Sequence, residues 1–119
     1  MAAPIANRLT EIVRLGAGKT TVYANPASMK TYIRSIHLHN TDVADKYIEI
    51  WNVPDNAAAV GTADDTNKWI QVTVPTDESV FLEFGAPGII LVDENDSIQA
   101  EPEAADKITF QMYGFTEVV

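Results

Sequence analysis

The chain has 119 residues, 46% of them hydrophobic and 21% charged, which is the make-up of one ordinary globular domain. Its net charge of −9 opposes phosphate backbones and so argues against nucleic-acid binding. The lack of cysteine excludes a disulfide framework, a thiolate metal site and a cysteine nucleophile.

The charge is unevenly spread. Residues 1–48 hold six basic residues (Arg8, Arg14, Lys19, Lys30, Arg34, Lys46) against three acidic ones, and the remainder holds two basic against fourteen acidic. A mildly basic edge docking on an acidic neighbour is one consequence; solubility is the other. The first residues carry no basic and apolar regions of a secretory leader. No run approaches the roughly 18 apolar residues a spanning helix needs. Neither export nor a membrane partner is expected.

In chain order, residues 1–7 are expected to form an exposed arm and residues 8–119 one folded domain. Arg8 to Leu15 alternates and predicts an edge strand, since charge on a strand discourages unwanted pairing. Gly16-Ala17-Gly18-Lys19-Thr20 superficially matches a phosphate-binding loop, but the required earlier glycine is replaced by Val13 and no long helical segment follows, so a turn is expected. Thr20 to Tyr23 is a short strand and Asn25-Pro26-Ala27-Ser28 a turn by its chemistry.

Lys30 to Asn40 is the longest β-branched and aromatic run without glycine or proline. Period 2 places Tyr32, Ile36 and Leu38 on one face and Ile33, His37 and His39 on the other. A short turn and a second strand, Tyr47 to Val53, suggest a hairpin, with Ile48 and Ile50 inward and Tyr47, Glu49 and Trp51 outward. Residues 54–68 lack strand periodicity. A connection of that length is uncommon in a compact domain and predicts either a contact-making loop or a floppy insertion.

Trp69 to Val74 then alternates Ile70, Val72 and Val74 against Trp69, Gln71 and Thr73. Ser79 to Phe84 places Val80, Leu82 and Phe84 inward and Phe81 outward. Ile89 to Val92 is fully apolar, as expected of a central strand between covering layers. Ser97 to Glu101 and the long Lys107 to Val118 complete the set, with Ile108, Phe110 and Met112 on one face and Gly114 marking a bulge.

Chemistry-bearing patterns are sparse. His37 and His39 share a strand face, but no third metal ligand is evident nearby. Asp93, Asn95 and Ser97 have the first spacings of a calcium loop, yet Ile98 stands where glycine is needed and Ala104 where glutamate is needed. The acidic pairs Asp64-Asp65 and Asp77-Glu78 fall in turns with no apolar pocket to raise a pKa. No enzymatic activity, metal or cofactor is expected.

Eight or nine short strands at intervals of roughly 8–12 residues, with turn residues between them, predict an all-β single-domain sandwich. A jelly roll of about eight antiparallel strands is favoured. An immunoglobulin-like sandwich is the alternative.

Thr20-Thr21-Val22-Tyr23, Pro26, and Lys30-Thr31-Tyr32-Ile33-Arg34-Ser35-Ile36-His37-Leu38-His39-Asn40-Thr41 resemble the start of small virion proteins of tailed bacteriophages. Glu78-Ser79-Val80-Phe81-Leu82 and the run from Ile90 to Ile98 extend the similarity, so that it spans roughly Thr20 to Gly114. The chain departs from that pattern at Ala27-Ser28-Met29, where a shorter Ala-Gly is usual, and in its long Ala/Asp loop.

The resemblance implies a non-enzymatic structural role in the virion, after synthesis in the host cytoplasm, and it carries over no catalytic residue. A capsid decoration (cement) protein on the lattice of the major capsid protein, or on another virion protein, is the leading expectation. A homo-oligomer, with a trimer favoured, goes with it. The alternative is a head or tail fibre or host-attachment component with a carbohydrate-binding face, in which Trp51, Trp69 and Tyr47 would form a stacking platform. Arg8, Arg14, Trp51 and Trp69 are the candidate contact residues.

Overall fold

A computed structural model describes residues 7–119. The arm expected at 1–7 lies outside the described residues except for Asn7, which already pairs in a strand. Ten strands follow in order: β1 (Asn7–Arg8), β2 (Val13–Arg14), β3 (Thr20–Ala24), β4 (Met29–Asn40), β5 (Lys46–Val53), β6 (Lys68–Val74), β7 (Ser79–Glu83), β8 (Ile89–Leu91), β9 (Ser97–Pro102) and β10 (Ile108–Val118).

They form two antiparallel sheets. Sheet A runs β1-β10-β4-β7, with β2 joining β1 along β10 and β8 joining β7 along β4; sheet B runs β3-β9-β5-β6. With β1/β2 and β7/β8 each counted as one broken strand, this is an eight-stranded jelly roll: the chain passes from one sheet to the other at nearly every connection. The immunoglobulin-like alternative is thereby excluded. The expected edge strand at 8–15 is present as β1 and β2, two short pieces along one side of β10.

The core lies between the sheets. Sheet A contributes Ile33, Ile36, Leu38, Ile108, Phe110 and Met112, and sheet B contributes Ile48, Ile50, Val74, Ile98 and Ala100. Each fully buried large side chain of this kind stabilises by about 1.5–3 kcal/mol over its exposed state. β9 is buried along most of its length because it is central in sheet B.

Three expectations about position are corrected. First, β4 and β5 are not a hairpin. β4 is already flanked by β10 on one side and β7 and β8 on the other, so the chain must cross to sheet B. Asn40 fixes that crossing: its buried amide donates to the carbonyls of Ala44 and Val74, both at 2.9 Å, and its oxygen accepts from the Asp42 N–H at 2.8 Å. Second, the apolar run at Ile89 to Val92 is not central. β8 pairs with β4 alone, leaving Ile90 and Val92 exposed.

Third, the faces of β4 are not those of an unbroken alternation. Tyr113 pairs with Ser35 and Gly114 with Ile33, so Arg34 is an extra residue opposite Gly114. One extra residue shifts every side chain beyond it to the other face. Ile33 therefore points into the core with Ile36 and Leu38, while Tyr32 points outward with His37 and His39. The bulge lies where Gly114 suggested, but its surplus residue is on the partner strand.

A buried polar cluster ties the far end of the sandwich. The Asn25 amide donates to the carbonyls of Met29 at 2.8 Å and Asp93 at 3.0 Å. Its oxygen accepts from the Thr31 hydroxyl at 2.7 Å, and that hydroxyl also meets the Tyr23 phenol at 2.8 Å. Asn25→Ala is expected to lower unfolding stability by about 2–4 kcal/mol, because two carbonyls and a hydroxyl lose buried partners at once. Urea denaturation monitored by circular dichroism checks this; a loss within 0.5 kcal/mol would contradict it.

Candidate docking face

Sheet B's outer face is covered at one end, while Tyr47, Gln71 and Thr73 towards the other stay exposed. Trp51 and Val53 project there from β5, and the 54–67 connection folds back over them, burying Ala63 to form a second small cluster. Lys19 straps this roof from the β2–β3 turn: its ammonium donates to the Ala63 carbonyl at 3.1 Å and lies 4.9 Å above the Trp51 ring. Gln99 donates to the Gly61 carbonyl and Asn95 to that of Ala58. The long connection is thus held to sheet B by these hydrogen bonds and by the burial of Ala63. Beside it, the Lys68 ammonium bonds Glu49 at 2.6 Å, and that hydrogen bond raises its pKa above the ordinary lysine range.

This changes the standing of the candidate contact residues. Trp51 faces outward as expected but is only 3% exposed, so it is a core residue of the lid and offers nothing to a partner. Trp69 is turned the other way. Trp51 pairs with Lys68 and Ile50 with Ile70, so Trp69 is a bulged residue, and it stacks on Phe84 of the opposite sheet with centroids 5.2 Å apart. A sugar platform of Trp51, Trp69 and Tyr47 is not formed, because the two indoles lie on opposite sides of sheet B. Arg8 and Arg14 lie apart along the β1/β2 edge, opposite Tyr113 and Thr109, both exposed and without an ion pair among the described residues.

Sheet A's outer face is open: no described element packs over it. Across it run rows of side chains set by the register. Gln111, His37 and Phe81 form one row, Tyr113, Ser35 and Glu83 the next, and Phe115, Tyr32 and Ile90 a third. The His37 ring lies 4.7 Å from Phe81 and 4.9 Å from Tyr113, while Tyr32 stacks on Phe115 at 4.7 Å and 14°. Phe81 is 61% exposed and Ile90 40%. The Tyr113 phenol donates to Gln111 at 2.6 Å. The Tyr32 phenol donates to Glu117 at 3.1 Å, and this bond raises its pKa above the ordinary tyrosine value.

The two histidines share this face, as the alternation predicts, but each is tied to its own carboxylate. His37 Nε2 lies 3.6 Å from Glu83, and His39 Nε2 lies 3.8 Å from Asp77 while its Nδ1 meets Ser79 at 2.9 Å. They do not converge on one point. The calcium-loop spacing also fails in space, because Ser97 is buried and bonded to Gln99. Asp93 is joined instead by Asp96 and by Asp55, which sequence spacing gave no reason to include. Asp96 already accepts the N–H groups of Asp55, Val92 and Asp93, so it serves the turn.

No protein-family profile matches the chain. No curated protein matches it either. One solved structure with a similar fold is a protein of the Bacillus endospore appendages, which form a novel family of disulfide-linked pili; it covers 97% of this chain and 88% of its own length, at 14% identity and a TM-score of 0.52. At that identity the likeness shows the fold, an all-β sandwich, and nothing finer.

Proposed function

We propose that the chain is a non-enzymatic structural subunit that acts by docking within a larger protein assembly. The observation that carries this reading is the open aromatic face of sheet A, beside a sheet B whose outer face is roofed in part by the 54–67 connection. Aromatic residues with few charges are the composition of interface centres. The specific form implied by the phage resemblance is a capsid decoration protein bound as a homo-oligomer to the major capsid lattice. The endospore appendage protein of similar fold, from a family of disulfide-linked pili, shares the all-β sandwich with this chain and adds no functional support. A disulfide link is closed to this chain, which has no cysteine.

A host-attachment role with a glycan-binding face is the second reading. It now rests on Phe81, whose exposed ring stands beside His37 and between Ser79 and Glu83 along its strand, in place of the two tryptophans.

The test is incorporation. Purified chain is mixed with virions or empty shells lacking it, and bound protein is counted after sedimentation and located by electron microscopy. Saturable binding at a fixed number of copies per particle is expected. Absence of binding to every such particle, together with no density difference between particles made with and without the protein, overturns the reading.

A further inference from the structure

We propose that the outer face of sheet A is a self-pairing surface, packed in the assembled state against the same face of a second copy of this chain. This rests on the reading of the protein as an assembly subunit and names the surface it uses first.

Three observations select a second copy as the occupant. The first is charge. Two chains each carrying −9 repel, and the loops at both ends of the sandwich are acidic: Asp42, Asp45, Asp77, Glu78, Glu103 and Asp106 at one, Asp55, Asp93, Glu94 and Asp96 at the other. Like charges set face to face cost several kcal/mol in an interface. On the sheet A face the register sets Arg8, Arg14 and Lys30 beside Glu83 and Glu117, so that face mixes both signs instead of carrying the acidic excess of the loops. It is the face on which two acidic copies meet at a lower cost than at either end of the sandwich.

The second is pattern. The aromatic groups fall in two clusters, Tyr32 with Phe115 and His37 with Phe81 and Tyr113, on either side of the small buried Ser35. An isologous contact brings a patch against itself, so clusters disposed about a centre match each other in the copy. Ile90 and Phe81, two of the exposed apolar side chains on this face, flank the same centre.

The third is area. β4 has 12 residues. At about 3.3 Å per residue and about 4.8 Å between strands, three to four strands present roughly 600–750 Å². A stable pair needs about 800 Å² per partner. The face is large enough for a pair of modest affinity.

The experiment is size-exclusion chromatography with light scattering on the full chain, with dissociation constants from sedimentation. The wild-type protein, 13.0 kDa as a monomer, is expected at twice that mass at about 100 µM. Phe81→Glu is expected to weaken pairing at least about tenfold, since it puts a charge where the most exposed aromatic ring of the face would be buried. Its circular dichroism should be unchanged, because Phe81 projects into solvent. Val43→Glu adds the same charge at a residue that is 93% exposed on a distant loop, and should leave the constant within about twofold.

A wild-type monomer at that concentration overturns the proposal, as does equal weakening by both variants or none by Phe81→Glu. A monomer that binds glycans through Phe81 overturns it in favour of the second reading. Particle incorporation is scored separately: a monomer that still loads onto particles defeats self-pairing and leaves the assembly role standing. A pair that never loads does the reverse.

Discussion

Replacing Trp51 by alanine is expected to cost about 3–5 kcal/mol of unfolding stability. The side chain is buried beneath the 54–67 lid, against Val53 and Ala63, with the Lys19 ammonium over its ring. Truncation removes the transfer energy of the largest side chain in that cluster and leaves a cavity under a lid of backbone turns. For a domain with roughly 0.05–0.15 kcal/mol of stability per residue, this is a large fraction of the total. Trp51→Phe should cost much less, about 1–2 kcal/mol: most of the apolar contact survives. No hydrogen bond is lost either, because the Trp51 indole N–H has no partner. Guanidinium unfolding followed by the fluorescence of Trp69 measures both. A surface contact role for Trp51 would give the opposite result, unchanged stability with lost binding.

Gly114→Ala is expected to destabilise by about 3 kcal/mol or more, lowering the melting temperature by roughly 10–15 °C. A Cβ at this position would collide with the Tyr32 carbonyl oxygen and press on Leu9. The clash is with backbone, in the middle of the longest strand pair of the protein, and rotamer changes cannot relieve it. It also falls where Arg34 bulges, so the main relief is a shift of register between β4 and β10. Such a shift would move Ile33 or Tyr32 to the wrong face. Differential scanning calorimetry on the variant decides the matter; a melting point within 2 °C of wild type would show that the bulge absorbs the methyl group.

Much of the architecture was legible because it rests on short-range rules. Val80, Leu82 and Phe84 face inward, and Ile108, Phe110 and Met112 do so more completely, because alternation in an unbroken strand leaves no other choice. The turns at Asn25-Pro26 and Pro75 to Glu78 follow from side chains that bond their own backbone or fix φ. The candidate site was less legible. Phe81 was read as outward, but nothing local distinguished it from Trp51, which is also outward and yet sealed. What separates them is a loop that returns 12 residues after Trp51 to bury Ala63 against it, while nothing returns over Phe81. Asp55 joined Asp93 and Asp96 for the same reason: their approach crosses the chain, and spacing along it carries no trace of that.

The sequence by itself determined the class of this protein: all-β, one domain, strands where β-branched and aromatic residues alternate, an acidic surface and no thiol chemistry. Those are consequences of side-chain period, turn residues and composition, each readable within a few positions. Only the tertiary structure decided which faces are exposed. A single surplus residue at Arg34, and another at Trp69, reversed the local alternation. The folding of 54–67 over one end of sheet B then buried Trp51, while the aromatic rows of sheet A stayed open. Burial depends on what packs above a strand, and that is set by contacts between residues far apart in the chain.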